Sequence, residues 1–260
     1  MNKYNHLLNL NLEEEENKIL NFIRKTVSAS KKQGVVIGIS GGIDSAVVAQ
    51  LCVKALNKEN ILSLLMFEKD KNNIDYKHAK NLINVLSVKF IDCPITNIFN
   101  TFVNNIDINN DKIALGNVKA RIRMTLLYYY ANVYDYLVVG TGDLSEKLMG
   151  YFTKYGDGGA DFFPISHLYK SQIKQLAKYF DIDEEIIKKP PSPNLWDGHK
   201  ASDELPLEYE KLDLVLFKLF KEQISDSMIS QQLNIPINII NEISNRMETN
   251  KHKHVSQPQI

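Results

Sequence analysis

The run Val35-Val36-Ile37-Gly38-Ile39-Ser40-Gly41-Gly42-Ile43-Asp44-Ser45 decides the architecture of the chain. Its first five residues are β-branched or glycine, the pattern of a short strand buried on both faces of a parallel sheet. Ser40 to Ser45 ends that strand, and the apolar spacing from Asp44 to Leu56 predicts a helix. In this order, backbone N–H groups and the positive end of a helix meet at the carboxyl end of a strand, where a phosphate is readily held. Two serine hydroxyls add donors. Asp44 would repel a phosphate directly, so its carboxylate suits a divalent metal that bridges to one. The loop is neither a Walker loop nor a Gly-x-Gly-x-x-Gly dinucleotide fingerprint. The hexapeptide alone also reads as a glycine turn with Asp44 and Ser45 capping a helix. The flanking strand and helix favour the phosphate.

Outward from this unit, further runs that read as strands buried on both faces lie at Ile61 to Phe67, Lys89 to Ile95 and Tyr136 to Gly140. Helical patterns fill Glu13 to Lys32, Asp75 to Leu86 and Gly116 to Val133. Strand and helix alternating at crossover spacing predict an α/β fold, a doubly wound parallel sheet flanked by helices. After Thr141 the pattern changes. Tyr151 to Pro164 is glycine-rich and reads as a mobile or ligand-shaped loop, Lys170 to Tyr179 as a helix, and Lys189 to Pro206, with Trp196, as an anchored loop. Leu207 to Asn250 reads as three helical pieces broken near Lys221 and Pro236. The expected organisation is one domain over 1–260. Residues 13–170 form its α/β nucleotide-binding core, 171–250 a helical C-terminal portion and 251–260 a tail.

The chain has 31 Lys plus Arg against 31 Asp plus Glu, and this balance argues against a general nucleic-acid binder. Hydrophobic residues make up 44%, enough for a core. Neither a run of ~18 apolar residues nor a signal-peptide pattern is visible, so no membrane association is expected. Two cysteines, Cys52 and Cys93, are too few for a disulfide framework and point to a reducing compartment, the cytoplasm.

The loop at 40–45 resembles the pyrophosphate loop of the ATP pyrophosphatase superfamily, whose members cleave ATP to AMP and pyrophosphate while adenylating an acceptor. Three further segments select within it. Gly116-Asn117-Val118-Lys119-Ala120-Arg121-Ile122-Arg123-Met124 is similar to the NAD synthetase helix that supplies an arginine to the nucleotide site. Gly140-Thr141-Gly142-Asp143-Leu144-Ser145-Glu146, followed by Gly150 to Asp161, resembles that family's most distinctive signature. Lys189-Pro190-Pro191-Ser192, Leu195-Trp196 and the tail Asn250-Lys251-His252-Lys253 complete the likeness.

The resemblance implies a Rossmann-like, ATP pyrophosphatase type fold and ammonia-dependent amidation of deamido-NAD to NAD through an adenylated intermediate. It assigns Gly38, Ile39, Ser40, Gly41, Gly42, Ile43, Asp44, Ser45, Thr141, Lys170 and Ser192 to ATP. Mg2+ goes to Asp44 and Glu146. Deamido-NAD goes to Arg121, Lys154, Asp161, His252 and Lys253. Asp44, Lys154, Asp157, Asp161 and Lys170 are the expected catalytic set, with Asp157 or Asp161 taking the ammonium proton or binding the ammonium. Met124, Thr125 and Tyr128 share the face of Arg121 and favour an inward-pointing guanidinium. The consecutive Tyr128-Tyr129-Tyr130 cannot all face one core, so a homodimer whose sites draw on both chains is expected.

Departures from the family are also visible. His199-Lys200-Ala201-Ser202 stands where an acid is usual, Pro206 where a glycine is, and His254 where an arginine is; Leu65-Met66-Phe67-Glu68 lacks the usual proline. A glutamine-dependent relative would need an added amidohydrolase domain, for which 260 residues leave no room; a separate glutaminase partner stays open. A tRNA-thiolating pyrophosphatase would show Cys-x-x-Cys pairs or a basic surface. A nucleotide sensor without turnover would not need Asp44, Glu146, Lys154 and Lys170 together.

Overall fold

The structure, a computed structural model, describes residues 5–68, 73–106, 111–196 and 198–254. The described residues contain a four-stranded parallel sheet of β1 (Val35–Gly38), β2 (Ile61–Leu65), β3 (Lys89–Asp92) and β4 (Leu137–Val138). The order is β3-β2-β1-β4. Crossovers from β1 therefore run to one side through β2 and β3, and β4 returns on the other side. The switch point, where ligands collect in open sheets of this kind, falls between the carboxyl ends of β1 and β4.

The helices are α1 (Leu12–Ala29), α2 (Ile43–Ala55), α3 (Ile74–Leu86), α4 (Thr96–Asn104), α5 (Lys112–Tyr134), α6 (Leu144–Met149), α7 (Lys170–Tyr179), α8 (Glu184–Lys188), α9 (Tyr209–Phe220), α10 (Asp226–Leu233) and α11 (Ile237–Thr249). Alternation along β1 separates the two faces of the sheet. Val35 and Ile37 pack with Ile19 and Ile23 of α1, with α2 and α3, and with Ile173 and Leu176 of α7; Val36 packs with Leu62, Leu64 and the α5 side. α2 is buried nearly all round, from Ile43 through Cys52, because it lies between the sheet, α1 and α7. Each fully buried aliphatic side chain in this core stabilises the fold by roughly 1.5–3 kcal/mol.

A second core joins Leu144 and Met149 of α6 to α9, α10 and α11 through Leu212, Leu216, Ile229, Ile240 and Ile243. α6 thus belongs with the C-terminal helices, whereas α7 also reaches into the first core. The segments between β4 and α7 run along the seam of the two cores.

The structure departs from the sequence reading in several places. The third apolar run gives an edge strand, with Lys89 and Phe90 exposed, rather than one buried on both faces. The fourth gives only two strand residues. The glycine-rich loop is tied to the sheet edge: Val139 and Phe162 form a parallel bridge, and Asp161 N donates to Val138 O. Helices α4, α6 and α8 are additional to the elements read from the sequence. Of the expected tail, residues 255–260 lie outside the described residues.

Candidate active site

The loop after β1 is built by its own side chains. Gly41 adopts φ +76°, a left-handed conformation that glycine enters without strain, and a Cβ there would lie 2.3 Å from Asp75 O. Ser40 Oγ accepts from Gly42 N at 3.2 Å, and Ser45 Oγ donates to Gly42 O at 3.0 Å. Gly42 starts α2 without any side-chain cap, which leaves the first N–H groups of this helix for another acceptor. Gly38 ends β1, and Ile39 N donates to Leu64 O at 3.0 Å.

Asp44 leaves this loop toward Lys170, the first residue of α7. Lys170 Nζ donates to both carboxylate oxygens of Asp44 at 2.9 Å and to Glu146 Oε1 at 3.0 Å. Asp143 Oδ2 lies 2.7 Å from the same nitrogen, an ion pair with its ammonium. Lys170 is 1% exposed and Asp143 is fully buried, whereas Asp44 and Glu146 keep 21% and 24% of their side chains open. Burial alone would discharge the Lys170 amine, but Asp143, Asp44 and Glu146 reverse this and hold it charged well above the ordinary lysine range. Desolvation raises the Asp143 carboxyl and pushes Glu146 up to about 8, against the pull of Lys170. For Glu146 this desolvation coexists with partial solvent contact, which places it at the rim of the cluster.

Asp143 carries this arrangement and was not among the residues the sequence assigned. Its Oδ1 accepts from Glu146 N at 2.8 Å while Glu146 Oε2 accepts from Asp143 N at 3.3 Å, a capping box that starts α6. The Asp-x-x-Glu spacing at 143–146 was the available signal. Tyr209 was missed as well; its ring centroid is 5.3 Å from Lys170 Nζ.

The remaining expected residues separate into two groups. Thr141 is half-buried in the segment between β4 and α6. Ser192 is half-buried and donates to Asn194 Oδ1 at 2.9 Å and to His199 O. Its loop is tied to the phosphate-loop side because Lys189 and Asn194 both bond the Asp75 carboxylate.

The second group gathers around residues 149–161. Arg121 is exposed rather than inward-pointing, and its Nε and Nη2 donate to Lys154 O at 3.4 and 3.3 Å. Lys154 Nζ donates to His252 O at 3.0 Å, and Lys253 Nζ to Gly150 O at 2.6 Å and Phe152 O at 3.1 Å. The tail is therefore ordered through 254 against its own chain. Asp157 Oδ1 accepts from Thr153 N at 2.9 Å, which closes a tight turn. Asp161 Oδ2 accepts from Val138 N at 2.7 Å and Oδ1 from Tyr128 OH at 3.2 Å, so both its oxygens are engaged by protein donors at the sheet edge.

No group of three or more His, Cys, Asp or Glu is arranged to hold a metal ion by itself among the described residues. Asp44 and Glu146 form instead a converging pair, each partly open to solvent.

Residues 15–257 match the family model described as NAD synthase. The NH(3)-dependent NAD(+) synthetase of Methanocaldococcus jannaschii is 46% identical over 250 residues, 95% of this chain and 96% of the relative. An NH3-dependent NAD synthetase from Campylobacter jejuni superposes with a TM-score of 0.83 at 36% identity, covering 97% of this chain and 99% of that one. An NMN synthetase from Francisella tularensis superposes with a TM-score of 0.84 at 32% identity and the same coverages.

Proposed function

The chain belongs to the NAD synthase family, and on that premise we propose that the acid–lysine cluster between the ends of β1 and β4 holds the phosphates of ATP during the reaction. The protein is an ammonia-dependent ligase that amidates deamido-NAD to NAD with ATP, through an adenylated intermediate, and releases AMP and pyrophosphate. The convergence of Asp44, Asp143 and Glu146 on Lys170 is the observation that carries the assignment of the site.

A carboxylate is a poor electrophile. One oxygen of the deamido-NAD carboxylate attacks the α-phosphorus of ATP, the bond to the β-phosphate oxygen breaks, and pyrophosphate departs with the electron pair. Ammonia then adds to the acyl carbon, AMP leaves, and the surplus ammonium proton passes to a base. Negative charge grows on the pyrophosphate, so donors already aimed at it lower the barrier. The uncapped N–H groups of α2 and the exposed hydroxyl of Ser40 are such donors, while the Ser45 hydroxyl holds the loop through Gly42 O. Lys170 sits where this charge develops, with its proton held firmly. We assign the deamido-NAD side to Arg121, Lys154, Asp161, His252 and Lys253, and the proton acceptor to Asp157 or Asp161.

Asp44 and Glu146 bring carboxyl oxygens from α2 and α6 to one point beside the phosphate loop, where an unscreened Asp44 carboxylate would repel a polyphosphate. The donor set therefore fits Mg2+, a hard cation that takes one or two carboxylates together with substrate phosphates. Asp44 and Glu146 would hold it, and it would supply positive charge against the departing pyrophosphate. We also propose a homodimer formed on α5, where Ile113, Tyr129 and Val133 are each about 60% exposed on one helix. Free Cys52 and Cys93 support a reducing compartment, the cytoplasm, for a chain in which no described helix is long and apolar enough to cross a membrane.

The test is a magnesium titration of turnover in Asp44→Asn and Glu146→Gln. Both are expected to lose at least about tenfold in kcat and to need more magnesium, while folding normally. Near-normal activity of both at limiting magnesium would overturn the site. The likeness to an NMN synthetase makes nicotinic acid mononucleotide the acceptor to run beside deamido-NAD, which is expected to be preferred.

A further inference from the structure

Asp213 is a carboxylate with no exposed surface, in the middle of α9, inside an otherwise apolar core. A buried carboxylate is costly unless its oxygens are satisfied, and an aliphatic residue would fill this position at less expense. Both oxygens are satisfied. Oδ1 accepts from Ser145 Oγ at 2.6 Å, and Oδ2 accepts from Ser171 N at 2.7 Å and from Ser171 Oγ. The two serines are chain neighbours of the two site residues: Ser145 precedes Glu146, and Ser171 follows Lys170. Ser145 Oγ also accepts from Lys170 N at 3.0 Å, so the starts of α6 and α7 are joined to each other as well as to α9. Tyr209, four residues before Asp213 on the same face of α9, places its ring against Lys170 Nζ.

We infer that Asp213 is a positioning residue for the reaction, a bridge from the C-terminal helices that fixes the starts of α6 and α7 so that Glu146 and Lys170 meet at one point. A side chain supplies this only if it presents two acceptors to two helix starts at once, which a carboxylate does. Geometry held to within about half an ångström is what separates a working cluster from a loose one. The inference rests on the assignment of Glu146 and Lys170 to the active site.

The experiment compares Asp213→Asn, Ser145→Ala and Ser171→Ala with Glu146→Gln and with Ile229→Val. The last removes one methylene from the same core, far from the bridge in the chain. Each full-length variant is assayed with ATP, deamido-NAD, ammonium and magnesium, and its thermal melting is recorded. Asp213→Asn keeps one acceptor for Ser171 but presents an NH2 in place of the oxygen that accepts from Ser145, and Ser145→Ala breaks two links, so both are expected to lose at least about tenfold in kcat with the KM for ATP within about threefold. Ser171→Ala keeps the backbone N–H bond and is expected to stay within about threefold in kcat. Ile229→Val is expected to retain its kcat although it melts lower. If Asp213→Asn does not fold, Ser145→Ala decides the matter. A kcat for Ser145→Ala or Asp213→Asn within twofold of wild type, with Glu146→Gln inactive, overturns the bridge and leaves the site intact. Losses that track melting across all variants, Ile229→Val included, also overturn it. Full activity of Glu146→Gln would instead fault the site assignment.

Discussion

Lys170 Nζ lies 2.9 Å from each carboxylate oxygen of Asp44, a residue 126 positions away in the chain. This contact joins the helix that follows the phosphate loop to the helix that carries the C-terminal half of the site. It also accounts for a lysine with 1% exposure: the ammonium is the common counter-ion of Asp44, Asp143 and Glu146. Removing Lys170 leaves like charges facing each other at the switch point of the sheet.

Lys170→Ala is therefore expected to affect both stability and rate. Leaving three buried or half-buried carboxylates without their partner should cost about 3–5 kcal/mol, less where solvent or magnesium screens Asp44 and Glu146. Turnover should fall by at least about a hundredfold. Urea unfolding with and without magnesium, together with steady-state assays, checks this. Wild-type stability would show that the ion cluster contributes nothing to the fold.

Gly41→Ala tests the phosphate loop. The new Cβ would meet Asp75 O at 2.3 Å in a left-handed backbone conformation. A penalty of about 1–2 kcal/mol is expected from the backbone conformation alone, and the loop must move to relieve the contact. ATP affinity, measured by calorimetry, should weaken more than deamido-NAD affinity. Equal weakening of both would locate the effect elsewhere.

Much of this arrangement was legible in the chain. The β-branched run before Gly41-Gly42 and the apolar spacing after it define β1, the loop and α2 because both faces of that strand and all faces of that helix are buried. Asp44, Glu146 and Lys170 were named through the resemblance, and the structure brings them together. Asp143 was not, because no helix was read at 144–149 and nothing near it in the chain marks Lys170 as its partner; here one oxygen caps α6 and the other faces Lys170. Asp213 sits in an apolar helix where nothing local marks its partners, Ser145 and Ser171. Arg121 was misread because Met124 and Tyr128 suggested an inward face, whereas its guanidinium turns to Lys154 O. β3 was read as buried because its period does not reveal that no strand lies beyond it in the described sheet.

The pH dependence of stability should report Asp213. Burial pushes its carboxyl up to about 6, against hydrogen bonds from Ser145 and Ser171, whereas an unfolded aspartate titrates near about 3.9. Between these values the folded protein holds the extra proton, so stability falls as pH rises through this window and the cost is constant above it. The melting temperature of the wild type relative to Asp213→Asn is expected to drop from about pH 4 to 6 and then level. Parallel melting curves across that range would contradict the assignment.

The apolar surface of α5 carries the expectation of a dimer. Tyr129 and Val133 are each 59% exposed, one turn apart on the helix. Light scattering should give twice the chain mass, and Tyr129→Glu with Val133→Glu should give the single chain. A wild-type monomer with full activity would remove the shared interface.

Product analysis decides the reaction class, amidation of deamido-NAD with cleavage of ATP to AMP and pyrophosphate. The purified protein is mixed with deamido-NAD, ATP, magnesium and ammonium chloride, and the nucleotides are separated at several times. NAD, AMP and pyrophosphate are expected in equal amounts, and glutamine in place of ammonium is expected to give none. ADP appearing instead of AMP, or NAD formed from glutamine alone, would contradict it.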